Sequence, residues 1–172
     1  HSVFPESTVW MGHHHLILLG SNGPLKIDFN EWQANIAKSV KDPFFYTNPY
    51  HVAACLLLDK ESIAKFPDRI KVNTDNNSYV EFFKLSSLDQ ENTFINLQHI
   101  NTLRTSVGNV FSNVPDSAAM SRFVSGNNEL TLGLVEMLKR NNNGLLSHLQ
   151  TATRINPENE EFPFLIKFYF NR

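Results

Sequence analysis

The residues able to do chemistry in this chain are few, and each has a structural alternative. His13-His14-His15 offers imidazole ligands to a metal, but strand neighbours point to opposite faces, so only His13 and His15 could converge. No Asp, Glu or Cys stands at a ligand spacing around them, and a turn cluster is the expected role. Cys55 lies in Ala53-Ala54-Cys55-Leu56, one helical turn after His51, the spacing at which an imidazole could activate a thiolate. Nothing electropositive accompanies it, so an inert core thiol is expected. Asn73-Thr74-Asp75 followed by Glu81 could place two carboxylates beside a substrate amine, although the same residues also build a turn. In the aromatic stretch 44–50, Tyr46 and Tyr50 carry hydroxyls that need partners if buried, and they could border a pocket for an alkyl amine. Gly20-Ser21-Asn22-Gly23 lacks the spacing of a phosphate loop, and Pro24 stands where a helix N-terminus would have to present N–H groups.

Composition narrows the classes. The 172 residues carry 15 Lys and Arg against 17 Asp and Glu, a net charge of −2, without the basic excess a nucleic-acid binder needs. A hydrophobic share of 41%, with 14 Phe, is enough for a packed core. A single Cys excludes an internal disulfide framework. No apolar run in this chain approaches the ~20 residues of a membrane helix. The opening His1-Ser2-Val3-Phe4-Pro5 resembles the middle of a fold and predicts that the chain is a portion of something longer.

The elements that would position these residues follow from patterning. Residues 7–11 and 15–19 predict a β-hairpin, closed off by the turn residues 20–24. The second strand is apolar at successive positions, so both of its faces call for burial, which a lone hairpin cannot provide. It should therefore belong to a larger sheet. Asp28 and Glu31 form a capping-box-like start for a helix through Phe29, Trp32, Ile36 and Val40. A short buried helix is expected from His51 to about Leu58, with Asp59 capping a further turn, and a strand over 79–83. From Asn92 the pattern predicts helices only: one through 94–110, then 117–124, one around 130–138, one around 145–152 and one around 162–169. The stretch 152–159 has the character of a helical-repeat junction.

Three segments, taken in order, resemble the spermidine synthase-like proteins. Val3-Phe4-Pro5-Glu6-Ser7-Thr8-Val9-Trp10 with Leu16-Ile17-Leu18-Leu19-Gly20-Ser21 is similar to the last hairpin of their methyltransferase-like sheet. Pro24-Leu25-Lys26-Ile27-Asp28-Phe29 is similar to the segment that follows it in long members. Asn73-Thr74-Asp75-Asn76-Asn77-Ser78-Tyr79-Val80-Glu81-Phe82 resembles their Asn-Thr-Asp-Asp-x-Pro-x-Val/Leu-Glu-Phe stretch, departing from it at Asn76 and Ser78. Tyr46 and His51-Val52-Ala53-Ala54 resemble the Tyr-x-x-x-x-His-x-Ala-Ala segment of aminopropyltransferases, where a Tyr borders the amine substrate. The likeness covers roughly residues 3–84.

The resemblance implies decarboxylated S-adenosylmethionine as aminopropyl donor and a polyamine acceptor, with the donor loop, its acidic ribose ligand and the catalytic Asp all upstream of His1. The chain would then hold no cofactor and be silent alone. Tyr46 and Asp75 would face the substrate. The same sheet also suits methyl transfer or no catalysis. The expected fold is α+β and mostly helical. Residues 1–88 would be the C-terminal portion of a spermidine synthase-like domain, and 89–172 a helical, tetratricopeptide-like tail. Expected partners are the protein's own N-terminal domain, a second copy and a protein bound by the tail, with no nucleic acid. A cytoplasmic location is expected, the parent being attached to a membrane through upstream segments if at all. The alternative is a non-catalytic helical-repeat interaction module.

Overall fold

The computed structural model describes residues 4–12, 15–39, 45–65 and 90–170. It is α+β and mostly helical, with a small sheet near the N-terminus. The hairpin forms as patterned: β1 (Glu6–Met11) pairs antiparallel with β2 (Leu16–Ser21), Trp10 opposite Ile17 and Thr8 opposite Leu19. β3 (Ile27–Asp28) leads directly into α1 (Phe29–Ser39). As expected of a cap, an Asp28 carboxylate oxygen accepts from the backbone N–H groups of Asn30 and Glu31, at 2.8 and 3.2 Å.

The expected helix to Leu58 is the first correction. α2 (Pro49–Ala54) ends at Cys55, and Leu56–Leu58 form β4, which pairs antiparallel with the other edge of β1. A run of apolar residues buried on all sides carries no period, so pattern alone cannot separate helix from strand. Here the vacant edge of β1 decided. The sheet order is therefore β2-β1-β4. Asp59 caps α3 (Lys60–Ile63) through the Ser62 N–H, as its position predicts. The strand expected at 79–83 lies outside the described residues.

In the second half, α4 (Gln90–Thr102) stops earlier than its spacing suggests. A 3-10 turn, Val107–Asn109, follows, and then β5 (Phe111–Ser112), which pairs parallel with β3. The helices-only expectation fails at this point, because Phe111 is drawn into the N-terminal core. The two helices expected around 117–124 and 130–138 are one, α5 (Ser117–Leu138), capped by Asp116. Gly126, in its middle, lets Phe162 lie directly on the helix, since a Cβ there would stand 2.8 Å from the Phe162 ring. α6 (Asn142–Ile155) and α7 (Glu161–Phe170) complete an antiparallel tail.

Successive side chains of a strand point to opposite faces, and β1 uses both. Trp10 enters a core with Phe29, Ala53, Leu56, Val107, Phe111 and Met120. Met11 packs against a second core built from Leu130, Leu134, Leu145, Leu149, Phe162 and Leu165. Residues from both sides of position 89 thus share the first core. Among the described residues, no helix is long and apolar enough to cross a membrane.

Candidate functional site

The two outer strands of the sheet end differently. Beside β4, the Leu57 carbonyl accepts from the Thr105 N–H at 2.7 Å, and the Arg104 guanidinium donates to the Ala54 and Leu56 carbonyls at 3.1 and 3.2 Å. Beside β2, no described element pairs with the outer edge. Its apolar side chains stand open on both faces, with Leu16 58%, Ile17 53%, Leu18 73% and Leu19 46% exposed. The backbone groups directed off that edge can be assigned. The Gly12 N–H donates to the His15 carbonyl at 3.0 Å, and the Met11 N–H turns the other way, to the Cys55 carbonyl at 2.8 Å. Antiparallel alternation then directs the N–H and C=O of Leu16, Leu18 and Gly20 outward. Sheet edges are normally blunted by charge, proline or a bulge, and Leu16-Ile17-Leu18-Leu19-Gly20 has none of these.

A cavity flanks this strand on each face. One, of about 460 Å³, lies under Ile17 and Leu19 and is walled by Trp10, Trp32, Val52 and Tyr46. The other, of about 570 Å³, lies by Leu16 and is walled by Leu97, Ile100, Leu134 and Met137, residues of α4 and α5. The first has no carboxylate in its lining, so the described residues give an ammonium group no counter-charge there.

Tyr46, singled out from the sequence, is in the wall of that cavity. It sits in a 3-10 turn, Phe45–Thr47, with its ring stacked on His51 at 5.2 Å and its hydroxyl against Gly12, where a Cβ would be 2.8 Å away. Tyr50 instead turns into the core, tilted against Phe29 and stacked on Phe123. Asp75, with its neighbours Asn73, Thr74 and Glu81, lies outside the described residues, as do His13 and His14. Among the described residues, no group of three or more His, Cys, Asp or Glu could hold a metal.

Cys55 is a thiol in a dry setting. Burial pushes its pKa up to about 12, the nearby Glu161 charge adds to the rise, and Arg104 opposes it. Its Sγ–H donates to the His51 carbonyl at 3.4 Å, and the His51 ring is engaged elsewhere, so the pairing the sequence spacing allowed does not form. A maleimide or aromatic disulfide reagent is expected to leave Cys55 unmodified in the folded protein and to modify it fully in denaturant. Stoichiometric labelling of the native chain at pH 8 would contradict this environment.

What sequence reasoning missed is the partner of His51. Its Nε2 donates to Glu161 Oε2 at 3.0 Å, and both side chains are only 3% exposed. The pair bridges α2 and the first turn of α7 across 110 residues, a distance no local pattern signals.

Asp59 is the other buried carboxylate. Burial raises its pKa, but hydrogen bonds from the Thr105 hydroxyl, the Asn109 amide and Ser62 outweigh this and hold it at about 2. With a folded value below the unfolded one, its contribution is complete above about pH 4 and is lost as pH falls towards 2. After allowance for solvent screening this is about 1–2 kcal/mol. Asp59→Asn is therefore expected to cost stability at pH 7 and almost none at pH 2, as read from urea midpoints. An equal loss at both pH values would rule out the ionic origin.

Compared with protein-family models, with curated proteins and with solved structures, the chain matches none.

Proposed function

We propose that the chain is the C-terminal portion of a spermidine synthase-like protein, supplying the end of an enzyme sheet whose donor-binding and catalytic half precedes it. On this reading the isolated chain is inactive, decarboxylated S-adenosylmethionine binds the preceding half, and Tyr46 and Asp75 face the acceptor amine. The protein would work in the cytoplasm, held to a membrane, if at all, through upstream segments. The observation that carries the proposal is β2, a strand apolar and exposed on both faces, at an edge that pairs with no strand among the described residues. Such a strand suits the interior of a wide sheet. The ammonium counter-charge absent from the Tyr46 cavity would come from Asp75 or from the preceding half.

The test uses the native gene product purified from its own cells beside the isolated 172-residue chain, held dilute enough to be monomeric. Amide exchange at Leu16, Leu18 and Gly20 is expected to be slow in the native product and fast in the isolated chain. Aminopropyl transfer to putrescine is expected only in the former. Equal exchange in the two overturns the proposal, as does protection already complete in the isolated chain.

At higher concentration the isolated chain is expected to use the same edge to pair with a second copy, antiparallel through β2. Leu18→Pro removes an outward N–H at a strand edge, where proline is tolerated, so the hairpin itself should persist. Sedimentation is expected to show concentration-dependent association that this variant abolishes. Association unchanged by it would place the contact elsewhere.

A second reading, a helical module that binds a protein partner, is favoured by one feature of the tail. Phe164 and Phe168 are exposed on α7 and stack on each other at 6.1 Å. It predicts that a Phe164→Ser, Phe168→Ser native product loses a co-purifying protein while keeping its β2 protection.

A further inference from the structure

We infer that Asn22, just beyond β2, is a site of spontaneous covalent modification, at which the Gly23 backbone nitrogen closes a ring on the Asn22 side chain and leaves aspartate or isoaspartate. Neither an enzyme nor a wider sheet is needed for it.

The step requires only a following residue that leaves the attack unhindered, and water. The Gly23 nitrogen gives its proton to a base in solution and attacks Cγ of Asn22. A C–N bond forms, a succinimide ring closes, and the side-chain nitrogen leaves as ammonia. Water then opens the imide. Breaking the bond from Cγ to the Gly23 nitrogen yields aspartate. Breaking the bond from the Asn22 backbone carbonyl carbon to that nitrogen yields isoaspartate, with the main chain now running through the former side chain. An amide and a water have become a carboxyl group and ammonia, and nothing is oxidised or reduced. Glycine favours the attack because no Cβ crowds the nitrogen and the backbone turns freely towards it.

The chain has two Asn-Gly pairs, Asn22-Gly23 and Asn143-Gly144, and their settings differ. Asn22 follows the last residue of β2, belongs to neither helix nor strand, and is exposed among the described residues. Its side chain makes no hydrogen bond to another described residue. The Gly23 N–H donates to the Ser21 hydroxyl at 3.2 Å, a local bond that ties the nitrogen into no helix or ladder. A Cβ on Gly23 would meet nothing within 4 Å among the described residues. Asn143-Gly144 instead lies in the first turn of α6. There the Gly144 N–H is taken by the capping Asn141 Oδ1 at 3.1 Å, and a Cβ on Gly144 would stand 2.6 Å from Asn141 Nδ2. Attack on Asn143 has to undo that cap and the helical backbone around it, which slows it by about tenfold or more. At Asn22 the product is a carboxylate at the end of a strand, Leu16–Gly20, that carries no charge of its own, and isoaspartate also lengthens the main chain between β2 and β3.

The experiment ages the purified 172-residue chain in mildly alkaline buffer, folded and in urea, and follows conversion by peptide mass spectrometry. Trypsin places the two pairs in separate peptides, residues 1–26 and 141–154, and Asn22 is the single Asn of the first. In the folded chain, peptide 1–26 is expected to convert at least about tenfold faster than peptide 141–154, and its product to accept a methyl group from an isoaspartyl methyltransferase. In urea the two peptides are expected to convert at comparable rates. Gly23→Ala, at a position with open space and a backbone outside the left-handed region, should keep the helical circular dichroism and slow conversion of peptide 1–26 by about tenfold. Equal rates for the two peptides in the folded chain would overturn the inference. So would the same ratio persisting in urea, a product without isoaspartate, or a Gly23→Ala chain that converts as fast as its parent.

Discussion

Glu161→Ala is expected to be among the most damaging single substitutions in this chain, costing about 3–5 kcal/mol in urea unfolding. The reason is the partner it abandons. His51 would remain almost wholly buried on α2, its Nε2–H facing the space left by the carboxylate and out of reach of water. The pair as a whole need not be strongly stabilising, since both groups lost their hydration to form it. His51→Leu with Glu161→Leu should therefore be milder than Glu161→Ala alone, provided the leucines fill the space. A Glu161→Ala cost below about 1 kcal/mol would mean that the pair contributes nothing a buried pair should. The consequence reaches beyond one contact, because Glu161 opens α7 and His51 stacks on Tyr46 in the wall of the first cavity. Loosening the tail is thus expected to loosen the candidate site.

Phe111→Ala should cost a similar amount, about 3–5 kcal/mol for an aromatic removed from a packed core. Phe111 is 3% exposed and meets Trp10, Phe29 and Trp32 at ring-centroid separations of 6.0, 6.0 and 5.3 Å. It belongs to the second half of the chain but is buried in the first. Both tryptophans report on the N-terminal half, whereas far-UV circular dichroism is dominated by the tail helices. In the parent chain and in the variant, the two signals are expected to unfold at one urea midpoint, shifted downward together by Phe111→Ala. Separate midpoints, with only the fluorescence transition moved, would show that the halves unfold independently and that the shared core does not couple them.

These two substitutions also mark where sequence reasoning stops. Position 111 follows residues at helical spacing, and only the side chains of Trp10, Phe29 and Trp32 explain why the chain leaves the helix there and adds a bridge to β3. Leu56-Leu57-Leu58 is equally silent on its own: hydrophobic on every side, it becomes a strand because β1 has a free edge beside it. The helices expected around 117–124 and 130–138 join through Gly126, where the Phe162 ring, 36 residues further on, fills the space a Cβ would need. At the site, Tyr46 could be named from its aromatic loop and from a family likeness, but its neighbours Gly12 and His51 come from different elements.

What the sequence by itself determined is local and periodic. It includes the hairpin, the Asp28 and Asp59 caps, the amphipathic tail helices, and above all a second strand with no polar face. That last feature is a statement about solvent, and no arrangement of this strand's own residues can answer it. Tertiary structure decided the rest: which edge of β1 was filled, which carboxylate met His51, and that β2, among the described residues, has an unpaired edge and an apolar cavity against each face. Such outcomes depend on surfaces brought together across as many as 110 residues, and the free energy that selects them belongs to the contact between those surfaces, not to either segment alone.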